Sequence, residues 1–290
     1  MASLLELIGH TPMVELKKLN SNPSIKIYAK LEGNNPGGSV KDRAALNMIA
    51  SALDRGDIQP GDKMVEATSG NTGIALAMIA RFYDLDLELV MPDTSTRERT
   101  LTMEAFGARV TLLTGMETCR DYAEEKAARG EAFILNQFAN PDNWGAHYKT
   151  TGPEIWNDTG GTITHFVSAM GTTGTIMGCS RYLKAQNPGV QIIGCQPTEE
   201  ASIPGIRRWP EAYLPKIFEP QRVDRVMDIT EQEATEYTRR LAKDEGVFAG
   251  MSTGGAAAAA LRLASEIEAG TIVFIACDRG DRYLSSTLFG

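Results

Sequence analysis

Lys41 has the most telling neighbourhood of any ionisable residue in this 290-residue chain. It follows Gly37-Gly38-Ser39-Val40 and heads a stretch, Val40 to Arg55, in which Ala44, Ile49 and Leu53 keep helical spacing up to Gly56. Ser39 is placed to cap that helix. An amine in the first turn meets the positive pole of a helix, which disfavours its charged form and lowers its pKa. A partly neutral amine near neutral pH is what imine chemistry requires. Alone, a first-turn lysine is most often a solvated surface residue, so its meaning depends on what lies beside it.

The chain has 28 glycines, about a tenth of its length against roughly 7% in an average protein. Many fall in four turns: Gly37-Gly38-Ser39-Val40-Lys41, Thr68-Ser69-Gly70-Asn71-Thr72-Gly73, Gly171-Thr172-Thr173-Gly174-Thr175 and Ser252-Thr253-Gly254-Gly255. Each sets bare amides and small hydroxyls at the head of an expected helix, where unpaired N–H groups and the dipole favour an anion. One such turn is often only a tight turn; four in one chain point to ligand binding. No P-loop pattern occurs and no GxGxxG follows a strand, which argues against nucleoside triphosphates and dinucleotides. The Gly171–Thr175 turn, with three hydroxyls and consecutive amides, suits a single phosphate monoester, and the Thr68–Gly73 turn a small anion such as a carboxylate. A phosphate monoester beside an activated lysine points to pyridoxal phosphate, an aldehyde that carries one phosphate.

Such turns must be held by strands and helices, and the sequence supplies both in alternation. Strands are expected at Ile25–Leu31, Lys63–Ala67, Leu85–Met91, Ala108–Leu113, Ile163–Ser168, Val190–Cys195 and Thr271–Cys277. Helices are expected at Ile74–Phe82, Thr96–Phe106, Glu117–Arg129, from the Gly171–Thr175 turn to Ala185, from the Thr230-Glu231-Gln232-Glu233 capping box to Gly246, and at Ala256–Ile267. This alternation predicts largely parallel sheets with helices on both faces. Two such series predict two α/β domains, a smaller one from 1–12 with 35–145 and a larger one from 13–34 with 146–290, with the site in the cleft between them.

Composition narrows the partners. With 29 Lys+Arg against 37 Asp+Glu the net charge is −8, which argues against a general nucleic-acid binder. No apolar run reaches the ~18–20 residues that span a bilayer. The start, Met1 to Glu6, meets an acid with no basic residue ahead of it, so a cytoplasmic protein is expected. Cys119, Cys179, Cys195 and Cys277 have no CxxC spacing and read as reduced thiols. His10, His147 and His165 lack neighbours at metal-ligand spacing; no metal is expected, and His147 reads as a structural contact.

The motifs Asn35-Pro36-Gly37-Gly38-Ser39-Val40-Lys41-Asp42-Arg43, Thr68-Ser69-Gly70-Asn71-Thr72-Gly73 and Gly171-Thr172-Thr173-Gly174-Thr175 resemble the cysteine synthase family of pyridoxal phosphate enzymes. The resemblance runs from Ile8-Gly9-His10-Thr11-Pro12 to Gly280-Asp281-Arg282-Tyr283-Leu284-Ser285, and Pro153-Glu154-Ile155-Trp156 with Ile206-Arg207-Arg208-Trp209-Pro210 makes it greatest for the family's type-B members. It implies fold type II, the tryptophan synthase β-like arrangement of two doubly wound α/β domains around the cofactor.

Roles follow from the resemblance, residue by residue. Lys41 would hold the cofactor and take the substrate α-proton. Asn71 would bond the cofactor's ring oxygen, and Gly171, Thr172, Thr173, Gly174 and Thr175 its phosphate. Thr68, Ser69, Thr72 and Gln137 would bind the amino acid's carboxylate. Ser252 would meet the pyridine nitrogen. A hydroxyl there, in place of a carboxylate, favours loss of a β-leaving group over transamination. The implied reaction makes L-cysteine from O-acetyl-L-serine and sulfide through an α-aminoacrylate intermediate. Arg207, Arg208 and Cys277 would extend the donor to thiosulfate, giving S-sulfocysteine; the bland reading of the arginines is a solvated pair beside Trp209.

Two enzymes of the same fold compete with this expectation, an O-phosphoserine-dependent cysteine synthase and a cystathionine β-synthase-like enzyme. The second typically carries haem or regulatory segments, which these residues do not contain. A rival from another class is a non-catalytic binding protein, against which Lys41, Asn71 and Ser252 all count. The resemblance implies a homodimer, and no motif assigns a complex with serine acetyltransferase.

Overall fold

A computed structural model describes residues 3–68 and 70–290; Met1, Ala2 and Ser69 lie outside the described residues. The chain runs β1 (Met13–Glu15), β2 (Ile25–Leu31), α1 (Lys41–Arg55), β3 (Lys63–Ala67), α2 (Asn71–Ala80), β4 (Asp86–Pro92), α3 (Arg97–Ala105), β5 (Arg109–Leu113), α4 (Met116–Ala128), α5 (Pro141–Lys149) and α6 (Thr151–Asp158). It continues with β6 (His165–Ala169), α7 (Gly174–Gln186), β7 (Gln191–Pro197), β8 (Arg225–Ile229), α8 (Glu231–Arg240), α9 (Met251–Glu266) and β9 (Gly270–Ala276).

The strands form two sheets. Strands β3-β4-β5 make a parallel three-stranded sheet, and β1-β2-β9-β6-β7-β8 a six-stranded one in which only β1 runs antiparallel to its neighbour. Period-two alternation sends neighbouring residues of each buried strand into different cores. Val167, Ile193 and Phe274 pack with the alanine-rich α9, whereas Phe166, Ile192, Val273 and Ile275 pack with Met177, Cys179 and Leu183 of α7. In the smaller sheet Met64, Leu87, Leu89 and Met91 face α1 and α2, and Val65 and Val90 face α4. Helix α2 is buried on every side after Asn71, the mark of a central rather than a surface helix.

Three departures from the expected elements have physical causes. Helix α9 starts at Met251, not Ala256, so Ser252-Thr253-Gly254-Gly255 lies within its first turns. Gly254 is tolerated there because a Cβ would sit 2.1 Å from both the Ala234 carbonyl and Thr238 Oγ1 of α8. Helices α5 and α6 were not anticipated, yet α5 has a clear start: Asn140 accepts from the Asp142 N–H at 2.9 Å and Pro141 occupies the first helical position. Strands β1 and β8 also lie outside the expected elements: β1 has only three residues, two of them half-buried, and β8 is exposed at three of its five.

The head of α1 is anchored by a buried ionic cluster. Arg43 gives Nε and Nη2 to Glu32 at 2.7 and 2.8 Å, and Nη1 and Nη2 to Glu154 at 2.6 and 2.7 Å. Lys30 Nζ adds Glu154 at 3.0 Å, Asp158 at 2.8 Å and the Thr11 carbonyl at 2.6 Å. Strand β2, helix α6 and the segment ahead of β1 thereby grip the first turn of α1.

Candidate active site

The carboxyl ends of β3, β6 and β9 carry the expected site residues, the position at which parallel sheets bind ligands. Beyond β9, Ser39 pairs with Asp278, and the Val40 N–H donates to the Cys277 carbonyl at 2.8 Å. The turn before α1 is thus stitched to the last strand. Ser39 Oγ accepts from the Lys41 N–H at 3.2 Å, and helix α1 starts at Lys41 itself. Burial lowers the pKa of the Lys41 amine, against the opposing pull of Cys277 and Asp278. Burial therefore leads where the sequence pointed to the helix pole.

Cys277 is half-buried, and burial pushes its thiol up to about 11, so it is protonated near neutral pH. Its N–H donates to Thr253 Oγ1 at 3.0 Å, while Ser252 hydrogen-bonds its side chain. Ser252 is 3% exposed. Lys41 and Ser252 consequently both lie beside Cys277.

At the small sheet, Asn71 heads α2. Its Nδ2 donates to Asp278 Oδ2 at 2.7 Å, and its Oδ1 accepts from Arg282, which also donates to the Gly37 carbonyl. Asp278 accepts from Tyr283 Oη at 2.7 Å too, and its Oδ1 is buried without a partner among the described residues. Thr68 and Thr72 are buried, and Thr72 Oγ1 donates to Gln137 Oε1 at 2.8 Å. Gln137 rides on a turn held by Glu66, whose carboxylate accepts from the Asn136 and Gln137 N–H groups at 3.1 and 3.2 Å. Burial raises the Glu66 pKa to about 7 despite those bonds. Ser69 is outside the described residues.

The Gly171–Thr175 loop follows β6 and leads into α7. Thr173 adopts φ +69° at its crest, and its Oγ1 is buried without a partner among the described residues. Segment 205–209 packs over this loop: Arg207 N–H donates to Met170 O at 2.8 Å and Trp209 Nε1 to Gly171 O at 2.7 Å. Gly205 touches both sides, since its own Cβ would lie 3.1 Å from Ser252 Cβ, and one on Gly171 3.1 Å from the Gly205 carbonyl. The two expected arginines part company here. Arg207 is exposed, whereas Arg208 is tied to the Pro197 carbonyl at 2.8 Å and Asp228 at 2.6 Å.

The sequence left several builders of this site unassigned: Glu66, Asp278, Arg282, Tyr283 and Asn143. A lone acid within the apolar run Lys63–Ala67 was the available signal for Glu66. Among the described residues no cluster could hold a metal ion, and no helix is long and apolar enough to cross a membrane.

Two sheets whose strand ends gather a half-buried lysine and a glycine- and threonine-rich loop at the head of a helix define a fold-type II pyridoxal phosphate enzyme. The residues suit that cofactor on their own terms: a half-buried lysine whose amine pKa is lowered, a loop with a buried hydroxyl that has no partner among the described residues, and a buried serine close to that lysine. The family described as "Pyridoxal-phosphate dependent enzyme" matches residues 4–278, and the chain belongs to it. It is 58% identical to "Cysteine synthase B" of Pseudomonas aeruginosa over 99% of this chain and 97% of that one. It is 56% identical to "Cysteine synthase B" of Escherichia coli, over 100% and 97%. The structure of "Cysteine Synthase (OASS) from Entamoeba histolytica" superposes with a TM-score of 0.94 at 37% identity, covering 100% of this chain and 90% of that one.

Proposed function

We propose that the protein makes L-cysteine from O-acetyl-L-serine and sulfide, releasing acetate, and that thiosulfate serves as a second sulfur donor, giving S-sulfocysteine. The names of its close relatives support cysteine synthesis. The observation that carries the reading is the sequestered amine of Lys41 beside Ser252 and Cys277.

Pyridoxal phosphate, when bound, supplies an electron sink for a substrate α-carbon that has lost its proton. Lys41 would hold the aldehyde end and move that proton; its lowered pKa favours the unprotonated amine that a base requires. Thr68, Ser69, Thr72 and Gln137 bind the substrate carboxylate. Asn71 would meet the ring oxygen, and Gly171 to Thr175 would hold the phosphate with backbone N–H groups and hydroxyls at the head of α7. Ser252 would meet the pyridine nitrogen with a neutral hydroxyl, which would favour expulsion of a β-leaving group over transamination. The neutral Cys277 thiol lines the pocket. Arg207 is the residue to attract the thiosulfate dianion, because Arg208 already carries Asp228.

We further propose a cytoplasmic homodimer whose domains divide as 1–12 with 35–145 and 13–34 with 146–290. The function is tested by supplying serine, O-acetylserine or O-phosphoserine, each with sulfide or thiosulfate, to the holoenzyme. The fastest amino-acid product is expected from O-acetylserine with sulfide. Turnover of O-phosphoserine or serine alone, or no turnover, overturns the reading.

A further inference from the structure

Helix α5 presents Asn143 and His147, four residues apart and 2% and 1% exposed, to the head of α7. The two helices approach closely because α7 carries glycine at both facing positions. A Cβ on Gly174 would lie 2.0 Å from Asn143 Oδ1, and one on Gly178 2.6 Å from His147 Cβ. Any side chain there would push the polar pair off the loop.

Asn143 Nδ2 donates to the Gln137 carbonyl at 2.7 Å and to Thr172 Oγ1 at 3.1 Å. A carbonyl only accepts, which fixes the amide's orientation and leaves the Thr172 proton to point elsewhere. His147 sits between two other hydroxyls, with Nδ1 2.8 Å from Thr151 Oγ1 and Nε2 3.3 Å from Thr175 Oγ1. A neutral imidazole has one donor and one acceptor nitrogen. A phosphate dianion accepts only. For Thr175 to give its proton to a phosphate oxygen, it must be free of the task of donating to the ring; Nε2 must then carry the hydrogen, and Nδ1 must accept from Thr151.

We propose that α5 sets the donor direction of the Gly171–Thr175 loop. Asn143 and His147, the latter as its neutral Nε2–H tautomer fixed by Thr151, fill the acceptor sides of the Thr172 and Thr175 hydroxyls, so that both protons face the phosphate. The inference rests on the reading that this loop takes the cofactor phosphate. Both are positioning residues. Burial, followed by the charges of Arg43 and Lys41, holds His147 well below its usual pKa, with Glu154 pulling the other way. The ring is thereby kept from becoming a double donor that Thr151 could no longer orient.

Nitrogen-15 NMR of histidine-labelled holoenzyme tests this, with the His147 signals assigned by their loss in His147→Gln. The expected ring is neutral, protonated at Nε2 and bare at Nδ1, throughout about pH 6 to 8. A ring protonated at Nδ1, or charged in that range, overturns the proposal. Thr151→Val is expected to mix the tautomers, shift the phosphorus-31 resonance of the bound cofactor and weaken its binding to apoenzyme about tenfold, the value of one hydrogen bond. Thr151→Ser restores all three. Wild-type affinity and phosphorus shift in Thr151→Val would also overturn it. Thr175→Val separates the two readings: an unmoved phosphorus resonance there removes the loop from the phosphate site, whereas a moved one beside the wrong tautomer removes the relay alone.

Discussion

Replacing Glu154 by Gln tests whether the buried cluster holds the head of α1. The change keeps the shape of the side chain and deletes one negative charge. Lys30 and Arg43, both with side chains 1% exposed, then share only the buried Glu32 and the 40% exposed Asp158. Breaking one partner of a buried pair costs roughly 3–5 kcal/mol. At about 2.1 cal/mol/K per residue, unfolding 290 residues has an entropy of about 0.6 kcal/mol/K, so Tm falls by about 5–8 °C. Asp158→Asn removes a contact to the same lysine from a half-exposed position and costs under about 1 kcal/mol, below about 2 °C. The pair is compared by circular dichroism melts with saturating cofactor. Burial alone pushes the Glu154 carboxyl up, but Arg43 brings it down from 4.5 to about 2. Its stabilisation is therefore complete above pH 4.5 and fades as pH falls towards 2, so wild type and Glu154→Gln should converge in acid. Equal losses for the two variants, or a loss under about 2 °C for Glu154→Gln, refute the reasoning.

Lys41→Ala abolishes cysteine formation and the visible imine absorbance that borohydride fixes on the protein; retained turnover removes Lys41 from its role. Arg207→Ala lowers kcat/KM for thiosulfate by roughly tenfold more than for sulfide, the effect of one charge-assisted contact; equal loss on both counts against the dianion reading. Gly178→Ala drives a Cβ to 2.2 Å from the Trp144 carbonyl and costs about 1–3 kcal/mol in urea unfolding. A stability unchanged from wild type would show that α5 moves aside without penalty. Glu66 titrates near 7 when folded against 4.5 ordinarily, so the folded state keeps its proton longer and stability declines as pH rises between those values. Urea midpoints at pH 5 and 8 should fall less in Glu66→Gln than in wild type; identical falls would exclude Glu66 as the source.

Much of this was legible because strand and turn chemistry are local. Lys63–Ala67 and Ile25–Leu31 emerge with their expected bounds, since a short apolar run between Gly61 and Gly70 marks the first and alternation the second. Helix α1 likewise ends at Gly56 in the left-handed conformation. The misses are of another kind. Asn143 and His147 matter only because Gly174 and Gly178 let two helices touch, and no pattern within Pro141–Lys149 announces that partner. Asp278 and Arg282 reach Asn71 across 207 and 211 residues of sequence. Such contacts are set by packing, so residue types and spacing pointed to the ligand groups of the site and not to the side chains that aim them.

Gln137 joins the two ends of the pocket in an unequal way. Its N–H is pinned by Glu66 and its carbonyl by Asn143, which also holds Thr172, while its side chain alone reaches Thr72. Its backbone is thus shared by both turns, while its side chain serves the Thr68–Gly73 turn alone. A side-chain change at 137 that keeps the backbone breaks only the bond to Thr72, whereas a substitution at Asn143 removes the bonds to the Gln137 carbonyl and to Thr172 together.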